Sequence, residues 1–383
     1  MKDYLKYYRI RITALSPIYV GDGKLIGKKE YIRRNRRSRG WGTVEIPDPR
    51  KMLTCLRLLS CVQDFENYML DQGGNVPDLY QWLQAQGISE ATISSWIRYS
   101  MDAGDVFIGP RNGRNKGIES FQKDAYGKPY IPGSSIKGML RTALLAWELG
   151  KQRESNSGIE KRVRRAVEGG RGKGDAFLRN QAEDLEVKVF HRPERNKENL
   201  KDAVNSVMAG LIVGDSDTIS EKQLLLCQKI DYSCIGDKKK ERAFPILREA
   251  LKPGTEVFFD LSIDETTFPY RIEDIFAALD FFQELCYERF YKRFGRGRKE
   301  SGLVWLGGGV GFLSKTVVYA LFSPEDALYV TDQVFKKTVK TYKEHKHGND
   351  LRLGISPHVC KCTRYQGELC DMGMGRIELL RGV

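Results

Sequence analysis

Ser134, Ser135, Lys137 and Arg141 lie in a stretch that reads YIPGSSIKGMLRTALLAW. Pro132-Gly133 turns the backbone, and two hydroxyls stand where a helix would start. Ser134, Lys137 and Arg141 follow one another at helical spacing and share a face. Unpaired N–H groups and the positive dipole end of a helix start suit a phosphate, and Lys137 and Arg141 would add charge and donors. The chemistry implied is anion binding, with a nucleic-acid backbone as the anion. Gly138 costs the helix about 1 kcal/mol relative to Ala, which predicts that another backbone comes close there. A second group is the loop GGGVGFLSKT, with Gly307, Gly308, Gly309, Gly311 and Lys315. Ser314 stands where a Walker A loop needs Gly, and the Rossmann spacing fails as well. Two readings stay open: a tight turn that needs glycine's backbone freedom, or a flexible cradle for RNA beside Lys315.

Groups that could hold a metal or cut a substrate are weaker. His358, Cys360, Cys362 and Cys370 cluster late in the chain, but C-x-C-x₇-C lacks the paired C-x₂-C of strong zinc signals. Cys360 and Cys362 would share one face of a strand, where small buried thiols pack well. Asp215 and Asp217 could form a nuclease carboxylate pair, yet short acids beside Gly and Ser more often cap turns. Asp22, between two glycines, is a similar case. No His pairs recognisably with a carboxylate or nucleophile. The sequence implies no catalytic residue, no resident metal and no cofactor.

Charge says more. The net charge is +13 and the isoelectric point is near 9.2, which calls for an anionic partner. Residues 28–39 carry seven basic side chains and one acid, among them Arg33, Arg34, Arg36 and Arg37. Such a run is either a solvated hairpin or a nucleic-acid contact. Arg9 and Arg11 alternate with Ile10 and Ile12 on the first strand, giving one apolar face and one aromatic-basic face. That second face would suit RNA lying across a sheet or be an ordinary solvated surface. No apolar run approaches the roughly 18 residues of a membrane span, and no signal-peptide core opens the sequence. The expectation is a cytoplasmic protein whose eight cysteines stay reduced.

The elements that must position these residues mix throughout, with no regular βαβ repeat, so the class is α+β. Residues 48–101 read as a helical insertion, 151–174 as flexible or ordered on binding, and 187–195 as strand and loop. Strands are expected around Asp215-Ser216-Asp217, over 256–263, over 303–306 and over 316–322. A helix is expected from Ile272 to Cys286 by its apolar periodicity, and a hairpin near the C-terminus.

The order of SPIYVGDG, YIPGSSIKGMLRTALL and GGGVGF resembles the RAMP proteins of CRISPR effector complexes. The ending SPHVCKCTRYQGELCDMGMGRIEL and the helical insertion are most similar to the subunit that caps the crRNA 3′ end in type III-A (Csm) complexes. The resemblance implies RRM-like, ferredoxin-like folds, two of them sharing or exchanging elements, with an N-terminal domain over 1–215 and a C-terminal one over 216–383. It also places Ser134, Ser135, Lys137 and Arg141 against guide RNA and maps the family's glycine loop to 307–311. The Arg-rich continuation common in relatives is replaced here by Phe312-Leu313-Ser314-Lys315. The implied function is non-catalytic: holding the 3′ portion of crRNA at one end of a hetero-oligomeric filament and aiding crRNA maturation. The implied partners are a backbone RAMP subunit, the small helical subunit and host nucleases, with no membrane. Alternatives are an RNA-processing nuclease or the terminal RAMP subunit of a type III-B complex. The isolated protein should bind single-stranded RNA through phosphates with little sequence preference. If about five phosphates are neutralised, log K should fall against log salt with a slope on the order of −3 to −4. A salt-independent affinity in a filter-binding titration would refute that.

Overall fold

The computed structural model describes residues 4–34, 42–73, 75–107, 117–151, 157–169, 177–235 and 238–382. The alternating first strand is β1 (Leu5–Ala14), followed by β2 (Gly21–Ile26), β3 (Ile32–Arg34) and β4 (Thr43–Pro47). Four short helices then form the insertion: α1 (Pro49–Leu58), α2 (Val62–Leu70), α3 (Leu79–Ala85) and α4 (Glu90–Ser95). Asp48 caps α1 with Pro49 in its first turn, Asp78 and Gln81 form a capping box on α3, and Ser89 caps α4. These helices have their own core, separate from the main one, in which Leu56, Leu79, Leu83 and Ile93 are buried with Tyr68 stacked on Trp82.

Strands β5 (Ile97–Asp102) and β6 (Ile118–Phe121) lead to α5 (Gly133–Lys151), α6 (Ser157–Gly169) and α7 (Arg179–Phe190). Next come β7 (Leu211–Val213), β8 (Leu224–Ile235), β9 (Lys238–Leu251), β10 (Glu256–Asp264), α8 (Ile272–Arg289) and β11 (Leu303–Trp305). The chain closes through α9 (Val318–Leu321), α10 (Pro324–Thr338), α11 (Asp350–Leu353), β12 (Cys360–Tyr365), β13 (Glu368–Asp371) and β14 (Met374–Gly382).

One sheet runs β11-β14-β1-β10-β7, antiparallel at every step. With the inserted segments set aside, β1-α5-β7-β10-α8-β14 in the spatial order β14-β1-β10-β7 is the split βαβ arrangement of a ferredoxin-like fold. Its inner face buries Ile10, Ile12, Phe259, Leu261 and Ile263. In the same core lie Ile136, Leu140, Ala143 and Leu144 of α5 and Ile275, Ala278 and Leu279 of α8. Each such Ile, Leu or Phe side chain contributes about 1.5–3 kcal/mol by leaving water. The second sheet runs β2-β6-β9-β8-β5-β4-β3, with β12 also on β8 and β13 on β12. Both sheets take strands from either side of residue 215, so neither is formed by one half of the sequence.

Three local expectations change. Residues 187–190 are the last turn of α7, because the polar helix-forming residues before them continue into Leu185 and Phe190, which are buried. Residues 318–321 form the one-turn α9, where Tyr319, Ala320 and Leu321 are buried in succession and no face alternates as a strand would require. Within 151–174, α6 is an ordered amphipathic helix that buries Ile159, Val163 and Val167 at four-residue steps.

Two glycines on α5 make opposite demands. A Cβ at Gly133 would stand 2.2 Å from the Val213 carbonyl oxygen and 2.7 Å from that of Gly214, whereas one at Gly138 would meet nothing within 4 Å. The backbone neighbour expected at Gly138 is therefore found at Gly133. Gly133→Ala should lower the unfolding free energy by about 1–3 kcal/mol, and Gly138→Ala should be neutral or raise it by up to about 1 kcal/mol. Denaturant titration of the two variants checks this; equal effects would contradict the geometry.

Candidate nucleic-acid interface

The start of α5 is fixed from the loop after β7. The Gly133 N–H donates to the Asp215 carboxylate at 2.7 Å. The Ile131 N–H donates to Ser216 Oγ at 2.9 Å, and the Ser216 N–H returns a bond to the Ile131 carbonyl at 2.9 Å. Asp217 pairs with Arg9. Each acid of this pair thus has a structural partner, and the first N–H of the helix already faces a carboxylate. What α5 offers a ligand is the side of its first turns.

That side forms one wall of a cleft of about 450 Å³, lined by Ser134, Ser135, Gly138, Met139 and Thr142. Facing them are Val20 and Gly21 from the first motif, Trp305, Leu306, Gly307 and Gly308 from the glycine loop, and Ser314 and Lys315 after it. The cleft adjoins a second cavity of about 670 Å³ that shares Gly138, Thr142 and Lys315 and continues past Arg141 to α7 and α9. Three motifs spread over nearly 300 residues of sequence thereby meet at one groove. The glycine loop is stitched in place: the Gly308 N–H donates to the Tyr19 carbonyl at 2.7 Å. Gly307 has φ +90°, and a Cβ there would lie 2.1 Å from the same Tyr19 oxygen. The loop is thus both a tight turn and part of the groove wall. Gly309 and Gly311 turn away from the groove, toward Arg248 and Lys361.

Lys315 lines this groove, whereas Lys137 precedes Gly138 on α5 without being among the lining residues. Among the described residues neither the Lys137 nor the Lys315 ammonium has a hydrogen-bond or ion-pair partner. Burial, and then the nearby Arg141 charge, hold the Lys137 pKa below its ordinary value. An anion here would relieve that penalty. Arg141 is partly committed: it pairs with Glu186, while its buried Nε has no partner.

The other predicted cations are engaged within the protein. Arg9 pairs with Asp217 and, at 3.0 Å, with Asp260; Arg11 pairs with Glu256 at 2.8 Å and Glu378 at 2.9 Å. This face of β1 is opposite the one that packs under α5, and four carboxylates there outnumber the two arginines. Arg33 stacks on Phe107 at 4.1 Å, and Arg34 lies 4.3 Å over Tyr80 while pairing with Glu45 and Glu90, each at 2.9 Å. Lys29 is buried and donates to the last carbonyls of α2, among them Asp71 at 2.6 Å, where a cation suits the helix dipole. β3 and β2 are opposite ends of the second sheet, so these arginines are not brought to the groove. Arg36 and Arg37 lie outside the described residues.

The remaining chemical candidates separate. Asp22 accepts from the Lys24 N–H at 2.9 Å and from Ser120 Oγ at 2.8 Å, as a turn residue does. His358 joins His347 and Asp350, whereas Cys360 and Cys362 meet Asp371 and Cys370 joins neither group. Sequence reasoning missed Thr142, Trp305 and Ser314. Thr142 sits one helical turn beyond Gly138, and the other two flank the glycine loop, so proximity to the motifs was the available signal.

A family model described as the RAMP superfamily matches residues 11–314, a span that contains all three motifs. The chain is 26% identical over 407 residues to the CRISPR system Cms protein Csm5 of Mycobacterium tuberculosis, with 100% of both chains covered. The crystal structure of T. onnurineus Csm5 superimposes with a TM-score of 0.59 at 18% identity, covering 96% of this chain and 99% of that one. A chain of a cryo-EM Csm–crRNA–target RNA ternary complex of a type III-A CRISPR–Cas system gives a TM-score of 0.61 at 20% identity, covering 97% and 100%. With the family model matching well over half of its residues, on a ferredoxin-like sheet and a motif-lined groove, the chain belongs to the RAMP superfamily.

Proposed function

We propose that this chain is a subunit of a type III-A CRISPR (Csm) effector complex. In it, the groove between α5 and the glycine loop holds the backbone of the guide RNA toward its 3′ portion. The observation that carries the reading is the convergence of the three motifs on one groove that Lys315 lines, with Lys137 on the helix that forms its wall; among the described residues neither ammonium has a partner. Hydroxyls of Ser134, Ser135, Thr142 and Ser314 would bond phosphate oxygens or ribose hydroxyls, and the lysines would neutralise phosphates. This is shape and backbone recognition, tolerant of sequence. The role is structural rather than catalytic: Asp22, Asp215 and Asp217 are each held by protein donors. The subunit sits at one end of a cytoplasmic filament against a backbone RAMP subunit and the small helical subunit, and it aids crRNA maturation by shielding RNA or positioning a host nuclease.

Lys137→Ala with Lys315→Ala should weaken crRNA binding by about a hundredfold or more, since charged hydrogen bonds contribute about 1.5–3 kcal/mol each when well formed. The salt slope should flatten by about 1.4, the share of two phosphates. Arg9→Ala with Arg11→Ala, which removes cations already paired with acids, should change affinity far less. Fluorescence anisotropy with a labelled crRNA, repeated with magnesium or manganese, decides the matter. Unchanged affinity in the lysine pair would refute the groove, and cleavage of the crRNA by the purified chain would favour the nuclease reading.

A further inference from the structure

Near the C-terminus, one short loop gathers three buried side chains with metal-ligating atoms. His347 lies in the turn before α11, Asp350 opens α11, and His358 lies just before β12. One ligand atom from each falls within 4.8 Å of the others. His358 Nδ1 is 2.5 Å and His347 Nδ1 3.0 Å from separate oxygens of the Asp350 carboxylate. Asp350 is 0% exposed, and its remaining partner is the Ser356 hydroxyl at 2.7 Å. No Lys or Arg among the described residues pairs with it. A carboxylate removed from water needs a compensating positive charge nearby.

We propose that His347, Asp350 and His358 form a binding site for one divalent transition-metal ion, of which zinc is the best match. Two imidazoles and a carboxylate are borderline N/O donors that suit zinc and its neighbours, whereas magnesium and calcium prefer all-oxygen shells. Ligand bonds of about 2.0–2.2 Å in a tetrahedron place donor atoms about 3.4 Å apart. The two Nδ1–carboxylate contacts would lengthen by less than about 1 Å to reach that spacing, and all three ligand atoms already lie within 4.8 Å of one another. Ser356 Oγ then orients the carboxylate from outside the shell, and the Tyr319 hydroxyl fixes the Ser356 carbonyl at 2.6 Å.

The neighbouring trio Cys360, Cys362 and Asp371 does not fit the same role. Asp371 already has a counter-charge in Arg296 and a second donor in the Gly297 N–H at 3.2 Å. Burial and the facing thiol also hold Cys360 in its protonated form. The ion has a structural use. The His347 ring packs 4.8 Å from Phe335, which packs 4.9 Å from Phe312, and Phe312 lines the cavity beside Lys315. Fixing the loop over residues 347–358 would therefore brace one flank of the groove, whatever the groove binds.

The test is reconstitution of the full chain with zinc(II) or cobalt(II), removal of free metal by desalting, and elemental analysis. About one ion per chain is expected, with a cobalt spectrum that lacks a thiolate charge-transfer band. His347→Gln and His358→Gln should each reduce retention to a small fraction, while Cys360→Ser with Cys362→Ser should leave it unchanged. The cobalt spectrum of the unsubstituted chain decides the donor set even if a histidine variant fails to fold. No retained metal, or a thiolate band that disappears in the cysteine variant, would overturn the proposal.

Discussion

The close approach of α5 to the end of β7 sets the geometry on which the groove depends. With no side chain at Gly133, the helix start lies against the Val213 and Gly214 carbonyls, and Asp215 and Ser216 tie it there through backbone bonds. That contact sets both the height and the rotation of α5 on the sheet. Ile136, Leu140, Ala143 and Leu144 then point into the core while Ser135, Gly138 and Thr142 point the other way. A helix rotated by one residue would carry Lys137 and Arg141 into the buried places of Ile136 and Leu140. Asp215, one of the two acids that sequence alone offered as a metal pair, thus positions the start of α5.

Net charge is a poor guide to where an anion would sit on this molecule. Arg9, Arg11, Arg34 and Arg296 all meet carboxylates, and Lys29 ends a helix. The Arg296–Asp371 pair is buried. The exposed pairs, such as Arg9–Asp260, add about 0–1 kcal/mol each to stability, yet they cancel part of the field that a polyanion would feel. Attraction at short range is left to cations without partners among the described residues, and Lys315 is one of these that lines the groove.

Much of this was legible in the sequence because it rests on local rules. The alternation of β1 and β10, the periodicity of α8 and the capped helices of the insertion follow from residue spacing alone. The motif from Ile131 to Arg141 was readable as a helix start. Its meeting with Gly307 and Lys315 was not, because that depends on Tyr19 bonding across the fold. Val187-Lys-Val-Phe190 and Thr316-Val-Val318 misled for one reason: β-branched residues favour strands only weakly, and packing against neighbouring helices outweighs that preference. The His347–Asp350–His358 cluster escaped notice because attention to cysteine spacing assigned His358 to the wrong neighbours.

The place of β1 at the centre of its sheet has a consequence for how the chain is made. Ile10 pairs with Phe259 on one side and with Leu379 on the other, so β1 cannot complete its pairing until β14, the last of the described strands, has been made. At about 5–20 residues per second, that delay is on the order of tens of seconds. During it, the apolar face of β1 and both its hydrogen-bonding edges are open, and the helices that will cover them precede the strands that fix their place. The insertion, with a core of its own drawn from Ile32 to Trp96, can close long before. Synthesis therefore yields the peripheral unit first and the groove-bearing fold only once β14 slots in, which ties the formation of the groove to a strand made long after β1.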